Sequence, residues 1–162
     1  MIVADTSALI TIASVDLLDT FLSEFDVHTT ETVLKELEAT SEYEDRHGKA
    51  AQTVLDQTHR IEIHSTENTG LQSSRIDHGE ATTIELANRL AADFLITDDL
   101  RALPELQTAV VAKVAISPII LKALVKRDVL NKKEALAKLE QAAENRDWLS
   151  SPIYRRAKSL FK

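Results

Sequence analysis

Two three-residue apolar runs, Ile2-Val3-Ala4 and Phe94-Leu95-Ile96, give way abruptly to acid, at Asp5 in the first case and at the pair Asp98-Asp99 in the second. Apolar runs this short, without polar alternation, suit strands covered on both faces, as in parallel sheets packed between helices. The rest of the chain alternates accordingly. Strands are expected near 2–4, 26–29, 60–64 and 94–96 and within 109–116. Helices are expected from Ala8, near 31–40 and 45–57, from Glu80 to about Ala92, from Leu100, and near 118–126 and 132–145. A polar loop is expected at 65–79. Strands alternating with helices argue for an α/β fold with a central parallel sheet. In open sheets of that kind ligands sit outside the carboxyl ends of the strands, where strand order reverses, so Asp5 and Asp98-Asp99 should face one crevice.

Two more acids stand where packing residues would be expected. Glu80 heads a stripe with Ile84, Ala87 and Ala91 at helical spacing, and an acid on a buried stripe has to be paired, hydrogen-bonded or bound to a metal. Glu85 lies off that stripe, on a face expected to be solvated. Glu36 borders the apolar face of Val33, Leu34 and Leu37 in a helix that Thr30 can cap. The plainer reading is that Asp5, Asp98 or Asp99, and Glu80 are drawn to helix N-termini, where the macrodipole stabilises an acid by about 0.3–1 kcal/mol. For Glu36 it is an ordinary surface Glu.

Together the segments VADTSALI, the helical KEL, GEATTIELA and FLITDD resemble, in order and approximate spacing over residues 1–125, the PIN-domain family of small metal-dependent nucleases. The family's best-known members are toxins of the VapC class, and this chain is most similar to a prokaryotic branch marked by a Gly-Glu-Ala helix start and a doubled Asp. The resemblance implies a Rossmann-like three-layer α/β/α sandwich. It also implies an acidic pocket that binds Mg²⁺ or Mn²⁺ and hydrolyses RNA phosphodiester bonds. By position, Asp5 is the first-strand ligand, Glu36 the second-helix acid, Glu80 the acid of the later helix and Asp99 the fourth-strand acid. Asp98 shares the duty of Asp99, and Ser7 is the hydroxyl that supports Asp5. Many relatives carry one more acid soon after Asp99, where this chain reads Leu100-Arg101-Ala102-Leu103-Pro104, so a second metal would lack that ligand. The resemblance also implies RNA as substrate, a homodimer and, for a toxin of a VapBC-type pair, an antitoxin protein. The alternative is a catalytically weak PIN-like domain that binds RNA or protein without cleaving.

An acidic pocket of this kind is chemically sufficient. Hard cations take oxygen ligands, keep several waters and activate one of them for attack on phosphorus, so no side-chain nucleophile is needed. Competing chemistries lack their residues: there is no Cys, no Gly-rich phosphate loop, no G-x-S-x-G elbow and no H-E-x-x-H. A receiver-like signalling domain fails too, because its first strand would end in an acid pair and here ends in Asp5 alone. None of the five His are paired at metal-ligand spacing in the sequence. His78, close to Glu80, is the one His placed to support the acids or touch RNA.

Charge divides the chain. Residues 122–162 hold 11 Lys+Arg against 5 Asp+Glu, whereas residues 1–121 hold 8 against 21. An acidic body repels nucleic acid, so phosphate contacts are expected from the tail, at Arg155, Arg156 and Lys158. Lys132 and Lys133 fit better as the solvated face of a helix that turns Ala135, Leu136 and Leu139 inward. The organisation expected is a PIN-like domain over 1–125 with a basic helical extension, 126–162, packed on it and anchored by Trp148. With no Cys, no basic leader and no apolar run of membrane-spanning length, a cytoplasmic protein is expected.

Overall fold

The computed structural model describes residues 1–66 and 78–161. Among them are five strands and nine α-helices: β1 Ile2–Ala4, α1 Thr6–Ser14, α2 Leu18–Glu24, β2 Val27–Thr30, α3 Glu31–Thr40, α4 Arg46–Leu55, β3 Glu62–His64, α5 His78–Leu90, β4 Phe94–Ile96, α6 Leu103–Ala109, β5 Lys113–Ala115, α7 Pro118–Lys126, α8 Lys132–Asn145 and α9 Pro152–Ser159. All four strand pairings are parallel, in the order β3-β2-β1-β4-β5. The chain thus leaves β1 toward one edge of the sheet and returns to β4 on its other side. The crevice where strand order reverses lies between the ends of β1 and β4, just where Asp5 and Thr97–Asp99 follow.

Strand alternation sorts the layers. Ile2, Ala4, Val27 and Ile96 pack in one large core with buried residues of α1, α2, α3, α4, α7, α8 and α9, including Leu9, Phe21, Leu37, Val54, Leu124 and Leu139, and with Trp148 between α8 and α9. Val3 and Leu95, pointing the other way, pack with Ala81, Ile84, Leu86 and Ala87 of α5 and Leu106 of α6. The result is a three-layer α/β/α sandwich around a parallel sheet. The extension beyond residue 125 adds Ala135, Leu139, Ala142, Ala143, Ile153 and Ala157 to the larger core. Among the described residues no single helix is long and apolar enough to cross a membrane.

Several elements differ from the sequence-based expectations. Helix α1 begins at Thr6, with Asp5 as its N-cap residue. Helices α2 and α9 were not expected, and each is short, with only Leu18, Phe21 and Leu22 or Ile153 and Ala157 buried. The helix expected from Leu100 starts at Leu103, where Pro104 occupies the first turn and its missing N–H costs nothing. Helix α5 ends at Leu90, before Ala91, which adopts φ 50 and faces solvent. Glu85 is half-buried, not solvated. Of the polar loop expected at 65–79, residues 67–77 lie outside the described residues.

Candidate active site

Asp5 stands at an N-cap with φ −85 and ψ 162 but does not cap: its side chain takes no α1 backbone N–H. Only 5% exposed, it turns toward the end of β4 instead, where its Oδ2 accepts hydrogen bonds from Ser7 Oγ at 3.1 Å and Thr97 Oγ1 at 2.9 Å. Each hydroxyl has a single proton, so committing it to Asp5 leaves the oxygen to accept. Ser7 Oγ accepts from Asp98 N at 3.0 Å and Thr97 Oγ1 from Asp99 N at 3.2 Å. Two hydroxyls therefore tie the carboxylate after β1 to the turn after β4 and fix both.

Glu80 lies in the first turn of α5 and is 3% exposed. The residue before it, Gly79, explains the Gly-Glu-Ala start. A Cβ there would stand 2.8 Å from Glu36 Cδ and closer still to Glu36 Oε1, so only glycine lets the α3 carboxylate lie against the head of α5. Glu36 Oε1 also accepts from Thr6 Oγ1 at 3.0 Å. Asp99 keeps its side chain 25% exposed and accepts from Arg101 N at 3.0 Å, with Arg101 Nε 3.6 Å away. Asp5, Glu36, Glu80 and Asp99 together line one open depression of about 230 Å³, with Thr6, Ser7, Ile10 and Arg146.

Asp98, expected to share the duty of Asp99, is not among them. Its carboxylate turns to the start of α7, accepting from Ser117 N at 2.7 Å and Ser117 Oγ at 2.8 Å. Burial raises the pKa of this carboxyl, and the hydrogen bonds from Ser117 and Thr11 and the charge of Arg146 pull the other way. Arg146, the C-cap residue of α8, was not foreseen. Its Nε is buried without a hydrogen-bond partner among the described residues, and burial lowers the guanidinium's pKa while Asp98 raises it. No local pattern marks this Arg. It lies in a charged helix end, Glu144-Asn145-Arg146-Asp147, that reads as solvated. Thr97 was also passed over, although a hydroxyl between an apolar strand and two acids was a usable signal. Arg155, Arg156 and Lys158 are exposed on α9, and none lines the depression. His78 is exposed at the first position of α5.

A second group of ligand-type side chains forms elsewhere. His28, Glu62 and His64 each bring one donor atom within 4.8 Å of the others. The pairing runs across strands instead of along the chain, so no ligand spacing in the sequence marks it.

No match is found among curated proteins. A family model, DUF3368, described as a PIN domain, matches residues 1–162 and so takes in the basic extension as well as the acidic body. The chain belongs to the PIN-domain family.

Proposed function

We propose that this chain is an endoribonuclease that hydrolyses RNA phosphodiester bonds at the Asp5 depression with a Mg²⁺ or Mn²⁺ ion. PIN domains are generally nucleases. The observation that carries the reading for this chain is the meeting of Asp5, Glu36, Glu80 and Asp99 at one depression, two of them 5% exposed or less. Like charges so placed raise one another's energy unless a cation or protons compensate. The donor set is oxygen throughout, which suits a hard divalent ion. Asp5, Glu80 and Asp99 would hold it, with Glu36 completing the acidic rim. Such an ion lowers the pKa of a bound water and neutralises charge on the phosphate.

The chain's own residues do the positioning. Ser7 and Thr97 hold Asp5 in one orientation, Thr6 steadies Glu36, and the tight Gly79 contact sets Glu36 beside Glu80. Arg146 brings a guanidinium to the same depression, where its planar donor fork suits a phosphate oxygen pair. Asp98, bound to Ser117, keeps the turn that carries Asp99 in place. Arg155, Arg156 and Lys158 extend the phosphate track on the outer surface. The proposal includes a cytoplasmic homodimer and, for a toxin of a VapBC-type pair, an antitoxin that covers the depression.

A second reading has its own support. Asp99 is drawn to Arg101, Asp98 is committed to Ser117, and Arg146 already places positive charge in the depression. A PIN domain with those features would bind RNA or protein without cutting it. Incubating the protein with a labelled structured RNA and a labelled single strand, in Mg²⁺, Mn²⁺ and EDTA, beside Asp5→Asn, separates the two. Metal-dependent cleavage that Asp5→Asn abolishes establishes the nuclease. A folded wild type that neither cleaves nor binds Mn²⁺ overturns it and leaves the binding domain.

A further inference from the structure

The parallel pairing of β2 with β3 sets His28 opposite Glu62 and Thr30 opposite His64. Residues two apart on a strand share a face, so His28, Glu62 and His64 all project from the side of the sheet covered by α5, as the Thr30–Thr82 hydroxyl contact at 2.9 Å shows. His28 is 4% exposed, and its rings and neighbours leave it little freedom: the His64 ring stacks on it with centroids 5.2 Å apart and planes 25° apart. His28 Nδ1 lies 2.9 Å from His64 Nε2 and 2.9 Å from Glu62 Oε2, and the latter two atoms are 3.8 Å apart. His28 Nε2 is engaged on the opposite side by Asp26 Oδ1 at 2.9 Å.

With His28 neutral, these contacts are short of protons. With the Nε2 proton of a neutral His28 given to Asp26, its Nδ1 carries a lone pair that faces the Glu62 carboxylate, and His64 has one proton at most to offer between them. A cation accepted by all three atoms removes the conflict. The geometry accommodates one: for separations of 2.9, 2.9 and 3.8 Å, a point about 2.05 Å from each atom lies about 0.7 Å out of their plane. The angles between ligands at that point would be about 90°, 90° and 136°, a distorted tetrahedron with the fourth position open to water.

We propose that His28 Nδ1, Glu62 Oε2 and His64 Nε2 form a tetrahedral site for Zn²⁺, with Asp26 orienting His28 from behind. Two imidazoles and one carboxylate make a borderline donor set, which selects Zn²⁺ over Mg²⁺. Asp26 acts as the carboxylate partner that fixes the tautomer of a ligating His and raises its basicity. The site shares no residue with the Asp5 depression and does not depend on the nuclease reading. An ion there would clip the three-residue edge strand β3 to β2.

The test is Zn²⁺ titration by calorimetry in excess Mg²⁺, with Co²⁺ substitution read by its visible absorption. The wild type is expected to bind one Zn²⁺ and to gain melting temperature. It should also show the intense bands of four-coordinate Co²⁺. His64→Gln and Glu62→Gln, both at accessible positions, should weaken Zn²⁺ by tenfold or more, and Asp26→Asn by about 10–100-fold. The pair Asp5→Asn with Glu80→Gln should leave Zn²⁺ binding unchanged, which keeps failure here distinct from failure of the nuclease reading. Absent saturable binding, a six-coordinate Co²⁺ spectrum, or affinity that survives His64→Gln and Glu62→Gln but falls with Asp5→Asn overturns the site.

Discussion

Gly79→Ala should separate the stability of the protein from the function of its site. The need at Gly79 is for space: the added methyl would stand 2.8 Å from Glu36 Cδ and 3.1 Å from Oε2, both inside the 3.4 Å at which ordinary contact begins. Cδ must retreat by more than half an ångström, and Oε1, closer still, by more. What yields is the end of a flexible side chain, so the backbone can stay. Alanine gains up to about 1 kcal/mol over glycine inside a helix, less at the second residue. Loss of the half-exposed Thr6–Glu36 hydrogen bond removes about 1 kcal/mol. These offset, and the melting temperature should stay within about 4 °C of wild type. Function should not be spared, because displacing a site group by about 1 Å costs on the order of 100-fold in rate. The assay is Mn²⁺-dependent RNA cleavage with a parallel melting curve, repeated in a Glu36→Ala background. There the methyl meets no carboxylate and Gly79→Ala should have no further effect on cleavage. A fall of more than about 10 °C would show that helix α3 or α5 gives way instead of the side chain. Unchanged cleavage would refute the placing of Glu36 in the site.

Gly48→Ala is the contrasting case, since its methyl would stand 2.7 Å from the carbonyl carbon of Tyr43 and 3.2 Å from Thr40 O, both main chain. It should lose about 1–3 kcal/mol in denaturant unfolding, with the site untouched. Leu139→Ala removes a side chain of 0% exposure from α8 and should cost about 2–5 kcal/mol in one cooperative transition. A loss under about 1 kcal/mol would mean that residues 126–162 are an appendage to the core and not part of it. Arg146→Gln should act with opposite signs on the two ligands: Mn²⁺ binds more tightly, because a competing positive charge has left the depression, while the KM for RNA rises about tenfold. A change of both in one direction would count against a phosphate contact.

The acidic crevice was legible in the sequence because each acid interrupts a pattern set by burial. Asp5 and Asp99 follow apolar triplets, and Glu80 heads a helical stripe whose next members, Ile84 and Ala87, are 0% and 1% exposed. Parallel topology then carries strand ends to one side of the sheet. Asp98 was read together with Asp99 because two adjacent acids look equivalent in sequence. A turn sends consecutive side chains in opposite directions, and only the position of Ser117, 19 residues later, decided which one left the crevice. Arg146 was hidden for a similar reason. A C-terminal helix residue enters a site made by the first strand only after α8 has packed across α1, a contact that the Lys138 bond to Val15 O at 2.8 Å and the Asn145 bond to Ser14 O at 2.9 Å help fix.

The His28 cluster marks a sharper boundary. Metal motifs are recognised in sequence when the ligands share one element, since helix and turn periodicity alone then fixes their separation. Here Glu62 and His64 obey the period of two along β3, but His28 lies 36 residues before His64, on another strand. Their meeting depends on the register of β2 against β3. A slip of one residue would turn Glu62 and His64 to the opposite face and leave His28 alone, so the cluster exists only in the paired sheet. The register is itself constrained by burial: Val27 must enter the larger core, which turns His28 toward α5, and Ile63 packs against the same larger core, which turns Glu62 and His64 the same way as His28. Apolar packing on one face of the strands thus places the polar chemistry on the other. Strand-crossing ligand sets of this kind follow from core periodicity once strand order is known, and cannot be read before it.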